Sequence, residues 1–361
     1  MPPTSTRPAP LFAAPDTLIA VAYDPDGLTY QSNDLGPEDY VWPSPVWIRP
    51  DGSVWAAVEA PGRPAWRLLR LASTGPAVTQ NLADILDLKT PGEFMPVALG
   101  EGADDGLHLL AARRFDARTQ RYRDFALTRF TADGTPVETS SLSEAFAYSG
   151  TAYLTGNGEV INYEEDRPDA AWYRYSPSGT RSHWVDTVPG MPSAAVAAGV
   201  LERLGTAFRL LGGDGSVTPV PLEGDVPTAA AYTGGEGKFF GCVTTGPYSA
   251  DATGKANENP VDAPTSEWGE WGPGSVTQAR TLHVLRYDST RGVVSLLGTA
   301  DLSPARFSED DRRFRVFRPD QARFDAEGNY LEVAWTDRRM LLLRYPLDRN
   351  ATGRPDAGAG E

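Results

Sequence analysis

The side chains able to do nucleophilic, acid–base or metal chemistry are few and dispersed. There are three histidines, His108, His183 and His283, and one cysteine, Cys242. Each histidine sits in an alternating or apolar segment with no second ligand following at zinc spacing, so no Cys/His metal site is expected. The same scarcity counts against a Ser-His-Asp or Cys-His nucleophile. Cys242 lies in the apolar run Lys238-Phe-Phe-Gly-Cys242-Val243 and reads as a buried thiol on a strand, with no second cysteine to form an internal disulfide. Carboxylates are more plentiful. Glu164, Glu165, Asp166 and Asp169 crowd one turn region but lack the spacing of an EF-hand, and they read as solvated acids. Acid–base or metal-ligand work would need two or more of Asp104, Asp105, Asn162, Glu164 and Glu165 in one pocket. In the run 306–318, Arg312, Arg313 and Arg315 stand beside Glu309, Asp310 and Asp311, so the signs largely cancel and internal pairing is expected. No catalytic residue, metal ligand or cofactor is assigned on these grounds.

Binding chemistry is better represented. Glu267, Trp268, Glu270 and Trp271 form a Trp-Gly-Glu-Trp cluster, and Tyr40 and Trp42 make a second aromatic group. Tryptophan buries a large area at low entropic cost, so both clusters read as partner-binding surfaces.

The elements that must position these groups are written in turn chemistry. The chain has 361 residues, 36 of them glycine and 31 proline, and strongly periodic helices are absent from the pattern. Short segments such as Ser53-Val-Trp-Ala-Ala-Val58, Trp66-Arg-Leu-Leu-Arg-Leu71 and Met340-Leu-Leu-Leu-Arg-Tyr345 read as strands. Between them lie glycine-bearing turns in two series. The first comprises Asp51-Gly52, Asp105-Gly106, Asn157-Gly158, Ala198-Gly199, Glu236-Gly237 and Glu327-Gly328. The second comprises Asp26-Gly27, Thr74-Gly75, Asp133-Gly134, Ser178-Gly179, Asp214-Gly215 and Arg291-Gly292. The series alternate strictly, which makes each unit a four-stranded meander.

Units fall at 46–87, 94–142, 147–188, 194–223 and 228–302, and 321–347 begins a sixth. A four-stranded period of about 40–50 residues predicts an all-β chain folded as a β-propeller. Six blades are expected, or seven if 28–33 forms a further strand. The sixth unit lacks its outer strand, and Leu18-Ile-Ala-Val-Ala-Tyr23 is the piece that would close the ring and remove the edge. The propeller is thus expected over 17–348, with 1–16 an exposed extension, 349–361 an exposed tail, and 245–280 an insertion loop in the fifth unit.

The hairpin Phe324-Asp-Ala-Glu-Gly-Asn-Tyr-Leu331 resembles the unit of NHL-type propellers. Pro45-Val-Trp-Ile-Arg-Pro-Asp-Gly-Ser-Val-Trp55 resembles a unit of the gluconolactonase/senescence-marker family and of virginiamycin B lyase. The likeness lies in repeat grammar over most of the chain and implies a propeller. The metal-binding glutamate of the lactonase family falls where Pro43 and Ser44 stand here, and no histidine matches the lyase position, so no catalytic residue carries over.

Composition bounds the partners. Hydrophobic residues make up 40% of the chain, enough for a core, and the formal charge of −15 disfavours nucleic acid and anionic membrane surfaces. Three lysines against thirty arginines fit a GC-rich bacterial or phage-like genome. The N-terminus has no apolar signal run and no stretch is long enough to span a bilayer, so the default location is cytoplasmic, with non-Sec export or delivery inside a virus particle left open. The resulting expectation is a non-catalytic interaction or structural module that presents aromatic loops to a protein partner or assembly. Two alternatives stand beside it: a hydrolase or lyase acting on a sugar or lactone at the channel mouth, and a carbohydrate-binding module.

Overall fold

The computed structural model describes residues 11–22, 45–49, 51–59, 66–88, 94–119, 121–143, 146, 152–155, 157–164, 170–186, 191–196, 199–227, 231–233, 238–250, 276–302, 313–314, 322–336 and 339–348. Six four-stranded antiparallel blades stand in a ring, the arrangement expected from the turn series. An N-terminal strand, β1 (Asp16–Ala22), precedes them. Blade 1 is β2 (Val46–Ile48), β3 (Val54–Glu59), β4 (Trp66–Ala72) and β5 (Gly75–Asn81). The short helix α1 (Leu82–Ile85), capped by the Asn81 side chain, leads into blade 2. That blade is β6 (Met95–Glu101), β7 (Leu107–Asp116), β8 (Arg121–Phe130) and β9 (Pro136–Ser141). Blade 3 is β10 (Ala152–Leu154), β11 (Val160–Glu164), β12 (Ala171–Tyr175) and β13 (Arg181–Val185). Blade 4 is β14 (Met191–Val196), β15 (Gly199–Leu204), β16 (Ala207–Gly212) and β17 (Val217–Val220), followed by β18 (Leu222–Glu223), which runs parallel to the outer strand of the next blade. Blade 5 is β19 (Ala231–Thr233), β20 (Phe239–Ala250), β21 (Val276–Asp288) and β22 (Val293–Asp301). After β23 (Arg313–Phe314), blade 6 has β24 (Ala322–Phe324), β25 (Tyr330–Thr336) and β26 (Arg339–Tyr345), and β1 supplies its fourth strand.

The repeated Asp-Gly wording has a common geometry. In the turn 49–53 the Gly52 amide donates to the Arg49 carbonyl and the Arg49 amide to the Ser53 carbonyl. The same pair of bonds recurs at 131–135, 155–159, 176–180, 212–216 and 325–329. Gly52 has φ +76° and Gly134 φ +85°, a region where a Cβ would be strained. The preceding Asp or Asn serves the turn as well: Asp51 accepts from the Ser53 amide at 2.8 Å and Asp214 from the Ser216 amide at 3.0 Å. Local chemistry thus fixes the hairpins.

Packing between blades closes the ring. Trp55 of blade 1 is fully buried and lies under Gly134 of blade 2. His108 of blade 2 lies against Gly158 of blade 3, and Trp184 of blade 3 donates its indole N–H to the Gly212 carbonyl of blade 4 at 3.0 Å. Phe208 and Phe240 meet edge-on at 5.7 Å between blades 4 and 5, and Phe239 of blade 5 stands against Gly328 of blade 6. Arg323 of blade 6 donates to the Ile48 carbonyl of blade 1 and covers the Trp47 ring. Closure by β1 adds the antiparallel register Asp16↔Arg344 through Ala22↔Arg339. Its inward side chains Ile19 and Val21 join a cluster with Val46, Ile48 and Val54 of blade 1.

Two expectations change. Residues 11–16 fall in the segment expected to be exposed, yet Leu11 and Phe12 are buried, because they pack on Leu282, Phe324 and Tyr345 and Phe12 bridges to Leu347. The insertion expected as a loop over 245–280 begins and ends as strand: β20 and β21 stay paired out to Ala250↔Val276, with a register shift between Thr245 and Tyr248. Among the described residues no helix is long and apolar enough to cross a membrane.

Candidate functional site

Buried ionisable groups are used within the blades. Glu164, at the end of β11, has no exposed surface; Tyr175 donates its hydroxyl to it, and Arg181 donates at 2.6 Å. Burial together with this carboxylate pushes the Tyr175 phenol well above its ordinary value. Glu202 of β15 is likewise buried and receives Arg209 Nε at 2.8 Å. Its charge, after burial itself, also raises the Tyr153 phenol of the neighbouring blade. His108 faces the Glu101 carbonyl at 3.2 Å, and burial lowers its pKa. His283 is also held low by burial and reaches the Thr244 hydroxyl at 3.3 Å. His183 is half exposed and pairs with Asp186 at 2.7 Å. Burial pushes the Cys242 thiol up to about 11.

The described residues named for acid–base work fall in two separate places. Asp104 and Asp105 lie exposed in the turn between β6 and β7, whereas Asn162 and Glu164 are enclosed in blade 3. Among the described residues no three His, Cys, Asp or Glu side chains gather as a metal site would require. Glu165, Asp166 and Asp169 lie outside the described residues, as do the partner-binding set Trp268, Trp271, Glu267, Glu270, Tyr40 and Trp42.

A groove of about 580 Å³ opens where the turns of blades 1 and 2 meet, lined by Arg49, Asp51, Arg70, Asp105, Ala132 and Asp133. It lies at the end of the ring that carries the Asp-Gly hairpins, opposite the end where loops between second and third strands emerge. Asp51 stands between the two arginines, 3.3 Å from Arg70 Nη2 and 4.0 Å from Arg49 Nε. Burial acts to raise the Asp51 pKa, but hydrogen bonds from the Ser53 hydroxyl and amide and the two guanidinium charges outweigh it and hold the carboxylate low. Asp133, on the other wall, is lowered by the Thr131 hydroxyl and the Thr135 amide. The walls therefore carry fixed charges of both signs.

In the sequence Asp51 and Asp133 read as turn formers and Asp105 as a candidate carboxylate paired with other residues, and nothing there marks the meeting of these three. The available signal was the interleaving of the two turn series, which sets the turns of successive units side by side.

No family model matches the chain, and no curated protein matches it. Among solved structures it is similar to a protein of unknown function from Bacteroides caccae, at 9% identity over 71% of this chain and 80% of that one, with a TM-score of 0.35. It is also similar to the β-propeller domain of the Trilobed protease from Pyrococcus furiosus, at 9% identity over 82% of this chain and 77% of that one, with a TM-score of 0.38. Neither likeness bears on activity.

Proposed function

We propose that this propeller is a non-catalytic interaction module that presents the insertion of blade 5 to a protein partner. One observation carries the reading. β20 and β21 run for 12 and 13 residues, and beyond Thr244↔Thr281 they leave behind the strands that flank them in the blade. Residues 245–250 and 276–280 thus continue as a two-stranded ribbon, joined at Val276 by one parallel bridge to Phe314 of β23. β23 in turn pairs with β25 of blade 6, so the outer end of the paired ribbon, at Ala250↔Val276, is braced against blade 6.

A braced ribbon is a costly way to connect two strands that a few residues could join, and such departures from a repeat are where propellers place function. Residues 251–275, between its strands, hold Glu267, Trp268, Glu270 and Trp271. Indoles flanked by carboxylates suit a partner surface with an apolar pocket and a basic rim. Tyr40 and Trp42 belong to a connection expected at the same end of the ring and would extend the contact.

The test is affinity capture from native lysate of the source cell, run with the natural chain and with Trp268→Ala/Trp271→Ala. The expected result is one stoichiometric protein partner that the double variant loses while its melting temperature stays within about a degree of the parent. Retention of the partner by the variant, or turnover of sugar lactones or glycosides by the purified chain, would overturn the reading.

A further inference from the structure

We propose that the groove between the hairpin turns of blades 1 and 2 binds a small zwitterion, an α-amino acid or short peptide, with its carboxylate toward Arg49 and Arg70 and its ammonium toward Asp105 and Asp133. Arg49 carries the argument. Its side chain is only 7% exposed, it lines the groove, and its Nη1 has no hydrogen-bond partner among the described residues. A guanidinium nitrogen taken out of water and given no acceptor is disfavoured, and a small turn of the side chain toward an oxyanion in the groove would relieve it. The near carboxylate, Asp51, is already occupied by the Ser53 amide, the Ser53 hydroxyl and Arg70.

Asp105 supplies the opposite sign. It is exposed, lines the groove from blade 2, and has neither a hydrogen bond nor an ion pair to the described residues. Asp133 keeps its charge through the bonds of its own turn. Two guanidinium groups and three carboxylates leave the lining with one negative charge in excess, so a polyanion such as a nucleotide would be repelled, and a simple cation would meet Arg49 and Arg70. A ligand with both charges satisfies both walls. The volume suits a molecule of amino-acid to short-peptide size.

The site lies at the other end of the ring from the insertion, so it stands apart from the partner-binding reading. The experiment is calorimetric titration of the full chain with the common α-amino acids and with glycine-containing dipeptides, using acetate and methylammonium as single-charge controls. At least one zwitterion is expected to saturate the protein and to bind about tenfold or more tighter than either control. Asp105→Asn, at an exposed position, should weaken it about tenfold without changing the melting temperature, and Arg70→Gln should weaken it by a similar factor. Capture of a partner through Trp268 and Trp271 should be unaffected by Asp105→Asn. Absence of binding by every zwitterion up to about 10 mM, binding equal to that of acetate, or affinity unchanged in both variants would overturn the proposal.

Discussion

A Cβ built on Gly158 would stand 2.8 Å from Nε2 of His108, so the first turn of blade 3 rests directly on the imidazole of blade 2. The contact joins residues of different hairpins, and it ties a conformational requirement (Gly158 has φ +80°) to a steric one. Gly158→Ala should therefore cost about 2–4 kcal/mol, combining left-handed strain with overpacking. Gly205 has φ +62° and nothing within 4 Å of the equivalent position, so Gly205→Ala should cost only about 1–2 kcal/mol. Urea midpoints of the two variants check the difference, and equal losses would contradict the packing role.

The same imidazole gives stability a pH dependence. Burial holds His108 and His283 below the ordinary value of 6.5, so near that pH the unfolded chain binds more protons than the folded one. Stability should be level above 6.5 and decline as pH falls from 6.5 through the folded values. Asp51, Asp133 and Asp214 are lowered from 3.8 and contribute a separate loss below that pH. Urea midpoints across this range should show the decline, and His108→Gln should flatten part of it. An unchanged slope in that variant would place the proton uptake elsewhere.

Ring closure by the N-terminal strand should be measurable at Ile19, which is 2% exposed although it lies near the chain terminus. Ile19→Ala should destabilise the whole propeller by about 2–4 kcal/mol in a single cooperative unfolding transition. A loss under about 0.5 kcal/mol would mean that β1 is not part of the cooperative unit.

Arg181 and Glu164 should behave as a coupled pair. Arg181→Met removes the guanidinium that meets a fully buried carboxylate at 2.6 Å and should cost about 3 kcal/mol. Adding Glu164→Leu should return much of that loss, since the buried charge is then gone. A double-mutant cycle on unfolding free energies reads the coupling, and additive losses would refute it.

Cys242 should be silent in the folded protein. With its thiol at about 11 and its side chain buried, reaction with a disulfide reagent at about pH 8 should await unfolding. Rapid labelling of the native chain would show that the strand opens locally.

The six-bladed ring was legible in the residues because its signals are local. A glycine in the left-handed region and an aspartate that accepts from the amide two residues later define a hairpin over five positions, and counting such hairpins yields the blades. Terminal closure followed from arithmetic too, since the sixth unit lacked one strand and Leu18 to Tyr23 were one strand in excess. What the sequence could not determine was which charged groups meet. Asp51 and Asp133 look like ordinary turn residues and Asp105 groups with other carboxylates, and only the lateral packing of blades 1 and 2 sets the three around Arg49 and Arg70. Glu164 read as part of a solvated acidic turn, but blade packing enclosed it with Tyr175 and Arg181. Leu11 and Phe12 looked like part of a loose extension until the fold placed Leu282 and Phe324 beside them. Backbone turns depend on neighbours in the chain, whereas burial and charge pairing depend on neighbours in space, and those are decided only when the ring closes.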